Sequence, residues 1–156
     1  MHVEPSPTPL QRPSLLLPIL IGGFAAGALD LTSAFIIYGW SVPRAIASGL
    51  LGKSAFHGGL GPWILGVFLQ FFIALSAAAL YCISSRWLNF LKDHFLVCGV
   101  FYGIAVFLVM NLIVVPLSAA PFKSTTFHLS GLIQGLLVHM AIIGLPISIS
   151  LWKFSK

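Results

Sequence analysis

The chain has 156 residues, of which 58% are hydrophobic and only 7% are charged. Because soluble globular domains average about 25% charged residues, this composition excludes a water-soluble fold and predicts a surface that contacts membrane lipids. The net charge of +5 comes from Lys and Arg residues scattered singly between apolar runs, and this pattern does not indicate a nucleic-acid partner.

The first 13 residues include four prolines and few apolar side chains. Such a composition cannot bury enough surface to order itself, so residues 1–13 are predicted to form a flexible proline-rich tail. The apolar run that follows is longer than the hydrophobic region of a signal peptide, which spans roughly 7–15 residues. It therefore predicts a retained transmembrane helix at about 14–38.

Residues 39–61 are too rich in Gly, Ser and charged side chains to span a membrane. Ser41 as a cap and Pro43 in the first turn predict a short interfacial helix, because proline lacks only a donor that the first turn leaves unpaired. Arg44 and Lys53 lie in this stretch and are expected to contact lipid headgroups.

Three further apolar runs predict helices at about 62–84, 97–118 and 129–152. Each is long enough to cross a hydrocarbon core about 30 Å thick. The predicted fold is therefore all-α: an integral membrane bundle of four transmembrane helices, with a short interfacial helix between the first and second. One transmembrane domain accounts for residues 14–156.

The distribution of Lys and Arg near the helix ends predicts the orientation of the bundle, since cytoplasmic loops carry an excess of positive charge. Five such residues fall on one side of the predicted membrane and three on the other: Arg12, Arg86, Lys92, Lys153 and Lys156, against Arg44, Lys53 and Lys123. This bias predicts that both termini are cytoplasmic.

Each predicted transmembrane helix carries one conspicuous polar side chain within its apolar span. These residues are Asp30, Gln70, Asn111 and His139. Each rides on a helix face rich in small residues, and Gly99/Gly103 and Gly131/Gly135 have the GxxxG spacing that lets helices approach closely in lipid. We therefore expect these faces to point inward and the four polar groups to form one buried cluster.

Within this cluster, Asp30 and His139 are expected to lie within hydrogen-bond reach, directly or through one water molecule. An ionised Asp costs about 2.5–3.5 kcal/mol at a helix centre, so Asp30 requires a partner or a proton. A neutral pair and an ion pair both stay open, because loss of hydration favours the neutral carboxyl whereas a nearby imidazolium favours the charged one.

The polar cluster leaves three functional classes open. The first is a non-enzymatic membrane component or complex subunit, with a homo-oligomer or a partner membrane subunit as the protein contact. The second is a small proton-linked or small-solute transporter or channel that uses Asp30 and His139. The third is a membrane-embedded metal-dependent enzyme, which ranks last because no nucleophile, base and orienting group occur together.

No cofactor or metal site is predicted from the motifs in the chain. Residues 47–54 read ASGLLGKS, close to a phosphate-binding loop, but Ala47 stands where that motif needs Gly and no strand precedes it. His57 and His128 could be imagined as metal ligands at the outer face. Two histidines without a further ligand at suitable spacing are weak evidence for such a site.

Several runs resemble a family of small bacterial four-helix inner-membrane proteins. They are GALDLTSAF, IASGLLG, AFHGG, VMNLIVVPLS and LVHMAIIGLPI, and together they extend over much of residues 22–149. The resemblance implies a multi-pass protein of the bacterial cytoplasmic membrane. It brings no activity, cofactor or catalytic residue with it.

Overall fold

The computed structural model describes residues 14–121 and 129–154. The predicted tail at 1–13 lies outside these residues, as do His128, Lys123 and Lys156. Over the described ranges the chain consists of helices joined by short turns and contains no strand. The predicted all-α class is confirmed.

Four helices are long and apolar enough to cross a membrane. They span Leu16–Tyr38, Gly61–Ser84, Phe95–Leu117 and Leu129–Phe154 and are called the first to fourth helices below. Their bounds lie within about two residues of the predicted ones, because long apolar runs bounded by Gly, Pro and charged residues leave little freedom for the ends. The chain is a multi-pass membrane protein.

The stretch between the first and second helices contains a connecting helix, Val42–Leu51, followed by a 3₁₀ turn at Gly52–Phe56. Pro43 lies in its first turn as predicted, but the side chain of Ser41 makes no capping hydrogen bond. Gly39 and Gly52 end the first helix and the connecting helix with φ of 79° and 60°. These are left-handed conformations that glycine adopts without steric cost.

The first helix lies at the centre of the packing. It contacts the second helix along much of its length and the second half of the fourth helix, while the third helix packs mainly on the fourth. The connecting helix packs on the second helix, where a Cβ on Gly66 would overlap the backbone of Pro43. The second and third helices make little direct contact.

Glycines set the closest approach of the helices. A Cβ on Gly103 would lie 2.5 Å from the carbonyl oxygen of His139, and one on Gly144 would overlap the backbone of Gly99. On the first helix, a Cβ on Gly23 would lie 2.9 Å from the Cα of Leu75. Such contacts are the expected source of association between helices in lipid, where no hydrophobic force drives them together.

The inward orientation predicted for Gly131 is wrong. Gly131 is exposed, and no described atom outside its local helix lies within 4 Å of where its Cβ would be. Gly135 does meet the ring of Phe107, but the backbone contact of the fourth helix is made by Gly144, further along the chain. The first half of this helix, Leu129–Val138, has no buried residue.

The third and fourth helices each contain a wide π-helical turn. These turns span Met110–Val114 and His139–Gly144, and each is followed two residues later by a proline, Pro116 or Pro146. A proline in a helix lacks the backbone donor and crowds the carbonyl of the residue four positions earlier. A wider turn just before the proline relieves this crowding while the helix continues.

We expect Gly103→Ala to destabilise the bundle and Gly131→Ala to leave its stability unchanged or raise it. Alanine favours a helix over glycine by about 1 kcal/mol, but overpacking at Gly103 costs about 1–3 kcal/mol. The measurement is the midpoint of thermal unfolding in detergent for both variants. Equal midpoints would contradict the close approach of the third and fourth helices.

Candidate functional site

The four long helices enclose a cavity of about 40 Å³. Its polar lining consists of Asp30 from the first helix, Gln70 from the second and His139 from the fourth. The remaining walls are apolar: Ala26, Ile73, Ala74, Ala77, Val106, Met110 and Ile143. A water molecule needs about 10–15 Å³ of such space and two to four polar partners, so the cavity can hold one or two waters and no larger solute.

Asp30 and Gln70 are joined directly. The Gln70 amide nitrogen Nε2 donates to Asp30 Oδ2 at 2.7 Å, and this bond crosses from the second helix to the first. Both side chains are half-buried. The small residues Ala26 and Gly27 precede Asp30 on the first helix, and their burial brings the backbones close enough for the side chains to meet.

His139 makes a hydrogen bond within its own helix. Its Nδ1 lies 2.9 Å from the carbonyl oxygen of Gly135, and its ring stands edge-on to Phe107 with 5.2 Å between the ring centres. These two contacts fix the plane of the imidazole. His139 also lines the cavity that Asp30 and Gln70 line.

Asp30 and His139 therefore face one cavity without a direct hydrogen bond between them. The bonds that the structure gives them run to Gln70 and to Gly135. The cavity is large enough for a water molecule that links the two side chains.

Asn111 does not join the other three polar residues. It donates from Nδ2 to the carbonyl oxygen of Phe107 at 2.9 Å, within its own helix, and it does not line the cavity. The third helix instead presents Val106 and Met110, which share one face because they lie four residues apart. Asn111 is one residue beyond Met110 and so points in a different direction around the helix axis.

Tyr102 is a polar residue beside the cavity wall that was not predicted from the sequence to join two helices. Its hydroxyl donates to the carbonyl oxygen of Ala77 at 2.7 Å and so links the third helix to the second. The ring also packs on Tyr81 at 4.8 Å between centres. Its spacing of four residues from Val106 and eight from Met110 could have placed it on the inward face.

Two apolar grooves each have walls on the second and third helices. The first, of about 740 Å³, is lined by residues that include Tyr81, Cys98 and Phe101. The second, of about 780 Å³, is walled by the second helix, the connecting helix and the end of the third helix. Ile73 and Met110 line both this second groove and the polar cavity, so they form the partition between them.

The two predicted headgroup contacts lie on the stretch between the first and second helices. Arg44 donates from Nη2 to the carbonyl oxygen of Gly59 at 3.1 Å and is partly exposed, whereas Lys53 is exposed in the 3₁₀ turn. Two tryptophans, Trp40 and Trp63, stack at this end of the bundle with 5.4 Å between ring centres. Tryptophan prefers the membrane interface, so this end of the bundle is a suitable place for the predicted contacts of Arg44 and Lys53 with lipid headgroups.

The remaining chemistry-bearing residues stand apart. Over residues 14–121 and 129–154, no three His, Cys, Asp or Glu side chains converge as metal ligands would. His57 is exposed with its Nδ1 at 3.2 Å from the Lys53 carbonyl oxygen. The segment that resembles a phosphate-binding loop forms the end of the connecting helix and the start of the 3₁₀ turn.

No family model, curated protein or solved structure matches the chain.

We expect Gln70→Leu to lower the stability of the bundle, because it removes the donor to Asp30 from the neighbouring helix. A polar group left unpaired in this way costs about 1 kcal/mol or more. Asn111→Leu is the matched control: it removes a bond within one helix and should leave stability nearly unchanged. The midpoint of thermal unfolding in detergent measures the stability of both variants. An equal loss of stability in the two would contradict a stabilising role for the bond between Gln70 and Asp30.

Proposed function

We propose that the protein is a non-enzymatic component of the bacterial cytoplasmic membrane, acting as a subunit or assembly partner of a larger complex. The observation that carries this proposal is the seam between the second and third helices. These helices make little direct contact, and two apolar grooves of about 740 and 780 Å³ lie along the seam.

An open seam of this kind supports a partner because it exposes apolar surface that the bundle does not cover itself. Ile113, Val114 and Leu117 on the third helix are 38–82% exposed at the wall of the larger groove. Helices associate in lipid through shape and close packing, and a concave seam offers more contact area than a convex helix face. The partner is a second copy of the chain or another membrane subunit.

The polar cluster supports the same proposal in a structural role. The Gln70–Asp30 bond, the Tyr102–Ala77 bond and the bond from Ser150 Oγ to the Pro18 carbonyl oxygen at 2.9 Å each join two helices. Such bonds average about 0.6 kcal/mol in membrane bundles, so they stabilise the arrangement of helices without requiring an activity. The cavity beside them is too small for a solute, which argues against a small-solute channel.

The proposal predicts a crosslinked product at the seam. A photoactivatable amino acid at Ile113, which lines the larger groove, should capture a membrane protein in intact cells. The same amino acid at Leu80, which is 63% exposed outside both grooves, is the matched control and should capture lipid alone. The products are separated by mass, and a doubling of mass identifies a second copy.

The subunit proposal fails if position 113 yields no protein adduct and the chain purifies as a monomer from mild detergent. A product that forms equally at Leu80 would indicate random collision and would also count against it.

We further propose that the chain belongs to the family of small bacterial four-helix inner-membrane proteins and has cytoplasmic termini. Arg86, Lys92 and Lys153 support this orientation, since they lie at the end of the bundle opposite Arg44 and Lys53. Four crossings also place the start of the first helix and the end of the fourth helix on the same side of the membrane.

This orientation predicts the behaviour of reporters fused to the C-terminus in a bacterial host. Green fluorescent protein should fluoresce there and alkaline phosphatase should be inactive, because the first folds in the cytoplasm and the second needs an oxidising compartment. A phosphatase inserted after Gly59 is the control and should be active. The reverse pattern would overturn the proposed orientation.

A further inference from the structure

The contact between His139 and its own helix shows which nitrogen of the imidazole carries the hydrogen. Nδ1 lies 2.9 Å from the Gly135 carbonyl oxygen, and a carbonyl oxygen can only accept a hydrogen bond. The hydrogen therefore sits on Nδ1. Nε2 is left as the nitrogen for a second partner, an acceptor in the neutral ring and a donor in the charged one.

Among the described residues, the Asp30 carboxyl also has one hydrogen-bond partner, and it can accept a further bond. Its Oδ2 accepts from Gln70 at 2.7 Å, which leaves Oδ1 for another bond. The Asp30 carboxyl and the imidazole line the same cavity of about 40 Å³, whose other walls apart from Gln70 are apolar. A water molecule there has two to three polar partners, which is the number that buried waters typically use.

We propose that this cavity binds one ordered water molecule that bridges Asp30 Oδ1 and His139 Nε2, and that a single proton is exchanged along this bridge. In the forward step, the O–H bond of a protonated Asp30 breaks and its proton passes to the water oxygen. The water gives one of its own protons to Nε2. The result is a carboxylate, an imidazolium and a regenerated water, with no net change in charge.

The exchange is confined to these two groups by what surrounds them. The second helix contributes the neutral amide of Gln70, and the third helix contributes Val106 and Met110. Tyr102 is the nearest titratable side chain on the third helix along this face, and its hydroxyl is donated to the Ala77 carbonyl oxygen. No other titratable group among the described residues lines the cavity.

This site does not depend on the subunit proposal, since a bridged pair can exist in a protein with or without a partner. It also requires no transport, because the proton stays within the cavity.

Nitrogen-15 NMR of histidine-labelled protein in lipid bilayers tests the proposal on the unmodified chain. The signals of His139 are identified as those lost in His139→Asn. We expect a protonated Nδ1, and a magnetisation transfer from water to the Nε2 side of the ring. In Asp30→Asn the Nε2 signal should shift, whereas in Asn111→Ala, which alters a residue outside the cavity, it should stay in place.

A second variant separates the water from the two side chains. Ala74→Val adds two methyl groups to the wall of the cavity and should abolish the transfer from water while Asp30 and His139 are both present. The proposal would be overturned by any one of three results. These are a hydrogen on Nε2 with none on Nδ1, no transfer from water in the unmodified chain, and an Nε2 signal that does not shift in Asp30→Asn. Both readouts are independent of whether a partner subunit is found.

Discussion

The structure depends on how closely its helices can approach one another. In lipid the hydrophobic effect does not favour helix association. Close backbone contact across small residues has to supply the favourable free energy of association instead. Gly99, Gly103 and Gly144 bring the third and fourth helices together, and Gly23 and Gly27 do the same for the first and second. The hydrogen bond from Gln70 to Asp30 depends on the contacts between the first and second helices, because they shorten the distance that the Gln70 side chain must reach.

Much of the fold could be predicted from the sequence because its signal is strong. Apolar runs of more than 20 residues, bounded by Gly, Pro and charged residues, have few ways to be arranged, and the four spanning helices and the connecting helix follow from them. The small residues along the first and second helices also marked inward faces. Gly131 was not inward, because GxxxG spacing shows that a face can pack closely but does not show that a neighbour is present.

The site was only partly predictable, because the direction in which a side chain points around its helix axis is hard to derive from the sequence. Asp30, Gln70 and His139 lie at similar depths on faces that pack inward, so their convergence on one cavity could be anticipated from spacing. Asn111 lies one residue beyond Met110, and this single step around the helix axis separates a side chain of the cavity wall from one that bonds within its own helix. Depth follows from counting residues, whereas rotation depends on which neighbour each helix meets.

The two π-helical turns have an effect on the cavity that reaches beyond their own residues. Each turn begins at a residue of the cavity wall, Met110 or His139, and each exists where a proline follows it in the helix. Pro116 and Pro146 do not line the cavity themselves. The polar cavity is therefore shaped by two proline rings that do not line it, because they act through the wider backbone turns from which its wall residues project.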